Sequence, residues 1–312
     1  MRREGSALHG LGVVVLKELS DHLTSARMRV LEWLVVLTAL AAVYAAITEI
    51  RQVTAQDPFL FLRLFTTARE PLPSFVGFLS FLVPLMAIGL GFDAVNSEHN
   101  RRTLSRILSQ PIYRDALLFG KYLAGLATMS VSLTVLWLLL IGLGLIMLGV
   151  PPSGEEMARA FIFLLVTIAY AGVWLALAML SSIVFRSAAT AALVTLGFWL
   201  FITLIWPALS PAIVTAFVPS NDEATLVIAA QSLARLSPST LYGEAVMAIL
   251  HPATRTLGPV YVSQLQGAVM GSPLSLWSSV MVAWPQIVGL IAASILLFVG
   301  GYVAFQRQEV RA

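Results

Sequence analysis

The chain has 312 residues, of which 58% are hydrophobic and only 11% are charged, and its formal net charge is +3. Soluble globular proteins carry about 25% charged residues, whereas lipid has no water to solvate charge. The composition therefore indicates an integral membrane protein, and the small positive charge gives no sign of nucleic-acid binding. There is no cysteine, which excludes disulfides, thiol nucleophiles and thiolate metal sites.

The first element is a predicted amphipathic helix near the N-terminus. Its apolar face comprises Leu8, Leu11, Val15, Leu19 and Ala26. Its polar face comprises Lys17, Ser20, Asp21 and Thr24. Such a helix is expected to lie in the membrane interface. The pattern leaves open whether it is a simple anchor or contacts a partner.

Six apolar runs are each long enough to cross a bilayer, which takes about 20 residues. The predicted spans lie near residues 30–48, 75–92, 117–148, 160–185, 188–206 and 280–305. The third run is too long for a perpendicular crossing, so we expect it to tilt or to project beyond the membrane. The predicted fold class is an all-α integral membrane protein with six transmembrane helices.

The basic residues predict the orientation of these spans. The N-terminus, the loops around 93–116 and 186, and the C-terminus hold 13 of the 19 Lys and Arg residues. Basic residues are enriched in cytoplasmic loops. We therefore expect both termini in the cytoplasm, with the 49–74, 149–159 and 207–279 loops outside.

The loop at 93–116 is predicted to contain a short two-faced helix from Val95 to Ser109, which Pro111 ends. Leu104, Ile107 and Leu108 share one side of this helix. Glu98, Arg102 and Arg106 follow one another at intervals of four on the other side, where Glu98 and Arg102 can pair. The pattern suits docking against another protein, and an ordinary positive cytoplasmic loop is the alternative.

The outer loop 207–279 is predicted to be helical in part. Trp206-Pro207 and Ser210-Pro211 are expected to break the fifth span near its outer end. Ser220-x-x-Glu223 has the form of a capping box for a helix to about Leu236. A second helix is predicted from Ser239 to Leu250. These helices either cap an exit path, contact a partner or serve as a structured connector.

Several kinds of chemistry have no motif in this sequence. Neither Lys17 nor Lys121 stands in Gly-Lys-Ser/Thr, so the chain has no P-loop for nucleotide phosphates. The four histidines are isolated and lack metal-ligand spacing, and no Gly-x-Ser-x-Gly elbow is present. Span interiors lack ionisable residues apart from Glu32 near an edge, which counts against an ion-coupled carrier.

The segment from Asn96 to Lys121 carries a family resemblance. Its marks are Glu98, Thr103-Leu104, Ser109-Gln110-Pro111, Arg114 and Gly120-Lys121, together with Lys17-Glu18-Leu19, Ser237-Pro238-Ser239-Thr240 and Arg307-Gln308-Glu309-Val310-Arg311. With these motifs the chain resembles the type-2 exporter permeases of the ATP-binding-cassette (ABC) superfamily. It looks most similar to the branch that includes the permease of nitrous-oxide-reductase maturation systems.

The resemblance implies a single permease domain over residues 1–312 in the inner (cytoplasmic) membrane, in contact with lipids. It implies a dimer with a second copy or a homologous permease, and two cytoplasmic ABC ATPase subunits that carry ATP and Mg. No cofactor or metal is then expected in this chain, and the chain itself is not expected to be an enzyme. The implied coupling residues are Glu98, Arg101, Arg102, Thr103, Leu104, Arg106, Ile107 and Leu108. The implied docking residues of the N-terminal helix are Lys17, Glu18 and Asp21.

The expected function is therefore ATP-driven movement of a substrate, by export, through this permease. Because the expected pathway is lined by Leu, Phe, Trp, Ser and Thr, with no fixed charge to hold an ion, the substrate is expected to be amphipathic or apolar. Mechanical action on an outer partner is the other possibility for the pump. A membrane-integral assembly or maturation factor, or an enzyme with no transport role, is the alternative from a different class.

Overall fold

A computed structural model describes residues 10–50, 59–100, 113–219, 222–255, 257 and 273–307. Its helices are α1 (Leu11–Thr24), α2 (Ala26–Ile50), α3 (Arg63–Thr66), α4 (Phe75–Gly91), α5 (Asn96–Asn100), α6 (Arg114–Leu148), α7 (Gly154–Val184), α8 (Ala188–Leu200), α9 (Trp206–Phe217), α10 (Glu223–Ala234), α11 (Pro238–Leu250) and α12 (Leu276–Arg307).

Six helical stretches are long and apolar enough to cross a membrane, which confirms the predicted fold class. Four of them are the single helices α2, α6, α7 and α12. The other two are longer stretches, one from α4 into α5 and one from α8 to the end of α9. No β-strand occurs in the described ranges beyond an isolated bridge between Arg69 and Leu72. Continuous helices satisfy the backbone hydrogen bonds that lipid cannot.

Helix α7 lies at the centre of the bundle and packs against α4, α6, α8, α11 and α12. Its large side chains Phe163, Tyr170 and Trp174 are fully buried. The helix begins at a capping box in which Ser153 and Glu156 bond each other's backbone amides. Close approach to α4 requires Gly91, because a Cβ there would lie 2.7 Å from that of Ala178.

The fifth span does not end at Trp206, which corrects the predicted boundary at 206–207. A π-helical segment, Phe201–Ile205, joins α8 directly to α9, and helix continues to Phe217. Pro207 falls in the first turn of α9, where a missing N–H is tolerated. Two hydroxyls bond freed carbonyls, Ser237 Oγ to Ile202 O at 3.0 Å and Ser210 Oγ to Pro207 O at 3.4 Å.

The two helices of the predicted outer loop are α10 and α11. The prediction that Ser220 caps α10 is wrong. The N-cap of α10 is Asp222, whose side chain accepts hydrogen bonds from the amides of Ala224 and Thr225. Ser220 itself lies outside the described residues. Helix α11 is inserted into the bundle, and its Tyr242 stacks on Tyr170 with ring centroids 4.4 Å apart.

Helix α1 ends at Thr24, and Ser25 turns the chain into α2 by accepting a bond from the Met28 amide. The residues predicted for its polar face are exposed, and Leu11, Val15 and Leu19 of the predicted apolar face are half-buried, whereas Ala26 belongs to α2 and is exposed. Val14 and Glu18 are the buried residues of α1. The exposed fractions of Val13 and Leu16 are 69% and 70%. The buried face thus includes a carboxylate, because that carboxylate has a basic partner on α6.

Candidate functional site around Lys121

The basic partner is Lys121, which lies in α6 where α1 crosses it. Gly120 makes this crossing close, since a Cβ there would lie 2.6 Å from Val14 Cγ1. Lys121 Nζ lies 2.9 Å from Glu18 Oε1 of α1 and 2.7 Å from Glu98 Oε1 of α5. The side chains of Lys121, Glu18 and Glu98 are only 5%, 10% and 13% exposed. We call these three residues the Lys121 cluster.

Lys17 extends the cluster toward the surface. Its Nζ lies 2.9 Å from Glu18 Oε1 and 3.0 Å from Asp21 Oδ2, and its side chain is 57% exposed. Two ammonium groups therefore share one oxygen of Glu18. Lys17, Glu18, Glu98 and Lys121 together carry two positive and two negative charges. Balanced charge allows the group to be buried, whereas a single unpaired charge would be strongly unfavourable.

The ion pairs fix the protonation state of Glu18. Burial by itself would raise the pKa of its carboxyl, but the charge of Lys121 and the hydrogen bonds from Lys17 and Lys121 outweigh burial. The pKa of Glu18 is consequently held below its usual value of 4.5. Burial lowers the pKa of the neighbouring His22, and the charges of Lys121 and Arg27 add to that effect.

Helix α5 is fixed to the end of α7 as well as to Lys121. Ser182 Oγ accepts from the amides of Val95 and Asn96 at 3.0 and 3.2 Å. Asn100 Nδ2 donates to the carbonyl of Arg186 at 2.9 Å. Just before α5, Asp93 pairs with Arg27 of α2 at 2.9 Å. The described chain before residue 101 is therefore fixed to α6 and α7 through α5, and to α2 through Asp93.

The chain leaves the same segment at a second fixed point. Asp115 Oδ1 accepts from Tyr302 OH at 3.1 Å and from Gln306 Nε2, both on α12. The guanidinium of Arg114 lies over the ring of Phe305, 5.6 Å from its centroid. The described residues before segment 101–112 are thus bound to α6 and α7, and those after it are bound to α12. A force on this segment would act on all three helices.

The predicted site residues divide into two groups. Glu98 and Glu18, predicted for coupling and for docking, are brought together on Lys121, while Lys17 and Asp21 stay exposed beside them. The remaining coupling residues, Arg101, Arg102, Thr103, Leu104, Arg106, Ile107 and Leu108, lie outside the described residues. Sequence reasoning did not identify the roles of Lys121, Ser182 and Asp115. A lysine following glycine within an apolar run was the signal available for Lys121.

The opposite end of the bundle holds a second buried cation, Arg159 of α7, which is fully buried. Its guanidinium donates to Glu155 Oε1 at 2.8 Å, to the carbonyl of Ile249 at 2.8 Å and to that of Leu274 at 2.6 Å. A further bond reaches Ser279 Oγ at 3.0 Å. Arg159 therefore joins α7 to the end of α11 and the start of α12. No cluster suited to a metal ion occurs in the described part of the chain.

The sequence matches a known family over most of its length. The family described as ABC-2 family transporter protein matches residues 13–310. A probable ABC transporter permease protein NosY of Pseudomonas aeruginosa is 28% identical over 183 residues, which cover 57% of this chain and 59% of that protein. The protein of the same description in Stutzerimonas stutzeri is 27% identical over 199 residues, 62% of this chain and 66% of that protein. The aligned regions thus span about three fifths to two thirds of these relatives. The chain belongs to the ABC-2 family of transporter proteins.

Proposed function

We propose that this chain is the permease subunit of an ABC exporter, and that separate cytoplasmic ATPase subunits drive it. The observation that supports the proposal best is that the described residues on both sides of segment 101–112 are anchored. Before it, Glu98 is bound to Lys121 and the Asn96 amide to Ser182, and after it Asp115 is bound to α12. A helix docked in an ATPase at this place would pass its displacement directly into the bundle.

The ATPase contact is proposed for the exposed surface around the Lys121 cluster. Arg102 and Arg106 would supply its basic groups, with Glu98 at its base. Lys17 and Asp21 of α1 lie next to Glu18, which shares Lys121 with Glu98, and both remain exposed. Glu18 is assigned a different part from the one expected, because it is buried against Lys121. It holds α1 to α6, so that α1 and α5 move as one unit.

The assembly that follows contains two copies of a permease, this chain with itself or with a homologue, and two ATPase subunits. ATP and Mg belong to the ATPase subunits. Both termini and the Lys121 cluster face the cytoplasm, the bundle lies in the inner membrane among lipids, and α10 and α11 face outward. This orientation rests on the 13 of 19 basic residues at the Lys121 end and the termini.

The double variant Arg102→Glu/Arg106→Glu tests the proposal, with Arg29→Glu as a matched control on the same side. Charge-assisted contacts are each worth about 1.5–3 kcal/mol, so reversal of two is expected to abolish co-purification with the cognate ABC ATPase or to uncouple hydrolysis from transport. The control is expected to behave as the wild type. Normal docking and transport by the double variant would contradict the proposal. ATP-independent activity of the chain would favour an assembly factor or a membrane enzyme.

A further inference from the structure

A cavity of about 230 Å³ lies between α2, α4 and α6. Two of its lining residues are polar, Glu32 of α2 and Ser132 of α6, and the rest are apolar. Val131 and Val135, on its α6 wall, are 47% and 55% exposed on the outer surface of the bundle. The cavity therefore opens sideways, on the outer surface of the described bundle.

Glu32 lies deeper in the bundle than the charged residues at its end. It follows Arg29 by three residues and Arg27, the partner of Asp93, by five, which is about 4 and 7 Å along α2. Ser132 follows Lys121 by eleven residues, about 16 Å along α6. An ionisable side chain at such a depth is costly and usually marks a functional site.

Among the residues that the structure describes, the carboxylate of Glu32 has a hydroxyl as its partner and no cation. Ser132 Oγ donates to Glu32 Oε1 at 2.9 Å. Within the described ranges no Lys, Arg or His forms an ion pair with Glu32. By contrast, the buried carboxylates of Glu18 and Glu98 both have Lys121. Ser132 occupies one oxygen of Glu32 and leaves the other as an acceptor for a ligand.

The geometry points to a binding site for an amphiphile with an ammonium head group. Its N–H groups would donate to Glu32, and its apolar chain would lie along Val35, Val131 and Val135. A cavity of this volume is smaller than a typical site for a whole drug-sized ligand. The head group and the start of the chain would fill it, and the rest of the chain would extend into lipid. Uncharged amphiphiles would gain no ion pair.

This binding does not require the ATPase. The further statement that ammonium amphiphiles are the transported class rests on the proposed function. Two sources share the chemistry, a free long-chain amine and the ethanolamine head group of a phospholipid. The experiment separates them by competition.

The test uses the purified full-length permease in a non-ionic maltoside detergent, with n-dodecylamine as the probe and n-dodecanol as its uncharged match. We expect saturable binding of dodecylamine by calorimetric titration. Glu32→Gln should weaken it at least tenfold, about 1.4 kcal/mol. Glu49→Gln, a change of the same kind at the other end of α2, should leave it unaltered. Unchanged melting temperatures would show that both variants fold.

Equal affinity of the wild type and Glu32→Gln for dodecylamine would overturn the inference, as would dodecanol binding that depends equally on Glu32. Displacement of dodecylamine by added phosphatidylethanolamine would identify a lipid head group as the natural occupant, and failure to displace it would identify a free amine. Both results support the ammonium site. Dodecylamine that binds but never stimulates the ATPase of the complex would contradict the transport statement alone. If the complex coupled ATP hydrolysis to transport but its Glu32→Gln variant bound dodecylamine as tightly as the wild type, only the proposed site would be contradicted.

Discussion

Lys121 and Glu18, which are 103 positions apart in the chain, form a buried ion pair with 2.9 Å between Nζ and Oε1. The same ammonium group lies 2.7 Å from Glu98. One lysine of the third span therefore holds both the helix that precedes the first span and the helix that follows the second.

Lys121→Met is expected to lower the free energy of unfolding by about 3–5 kcal/mol, because it leaves buried carboxylates without their cation. Lys17→Met is the matched control. Its side chain is 57% exposed, and surface pairs contribute about 0–1 kcal/mol. Chemical unfolding in mild detergent measures both. Equal losses in the two variants would show that burial of the Lys121 cluster has no energetic effect. Adding Glu18→Gln and Glu98→Gln to Lys121→Met should recover much of the loss.

The Glu18 ion pairs are expected to make the stability of the folded chain depend on pH in the acid range. The pKa of Glu18 is lowered in the folded chain, so its contribution is complete above the usual value of 4.5 and is lost as the pH falls through the lower folded value. Melting temperatures of the wild type and Glu18→Gln should therefore differ at pH 7 and draw together as the pH falls below 4.5.

The facing groups Lys17, Lys121, His22 and Glu98 are present in both proteins, so Glu18 is reported by the change in the difference below pH 4.5. His22, whose pKa is also lowered, contributes stability that is lost as the pH falls below about 6.5. The charge of Glu18 opposes this lowering, so the loss is larger in Glu18→Gln than in the wild type. A gap that stays constant from pH 7 to pH 3 would contradict the assignment.

Ser182→Ala is expected to loosen helix α5 while leaving the bundle intact. Its hydroxyl accepts from the amides of Val95 and Asn96, and unsatisfied buried donors cost about 1–3 kcal/mol. Hydrogen exchange at residues 95–100 should become roughly tenfold faster or more. The neighbouring buried Ser181 supplies the control as Ser181→Ala. If the two variants gave the same exchange rates, Ser182 would not be the anchor of α5.

Single cysteines should report the orientation, because the chain has no cysteine of its own. Ser20 of α1 and Ser232 of α10 are both exposed. With both termini in the cytoplasm, Ser232→Cys is expected to react with an impermeant maleimide in intact cells, and Ser20→Cys only after permeabilisation. The reverse pattern would place the Lys121 cluster outside and remove the basis for ATPase docking there.

Six spans, and the approximate places of α10 and α11, were predictable from the sequence because their signals are local. A span requires about 20 consecutive apolar residues, and caps and breaks lie within a few residues of the ends they mark. The errors arose where a residue far along the chain compensated for a local signal that would otherwise end a helix. Pro207 was expected to end the fifth span, but Ser237 from the start of α11 bonds the Ile202 carbonyl in the π-helical segment, and helix continues.

Composition and charge-free runs by themselves determined that the chain crosses a membrane six times, and the basic residues determined the predicted orientation. Only the tertiary structure decided which charges are buried together. Glu18 reads as a surface residue in sequence, and it is buried because α1 crosses α6 at Gly120 and meets Lys121. Glu32 reads as a residue at a span edge, and it faces a cavity because Ser132 stands opposite on α6. Such pairings join residues about a hundred positions apart, and packing of whole helices sets them, which no local pattern of residues records.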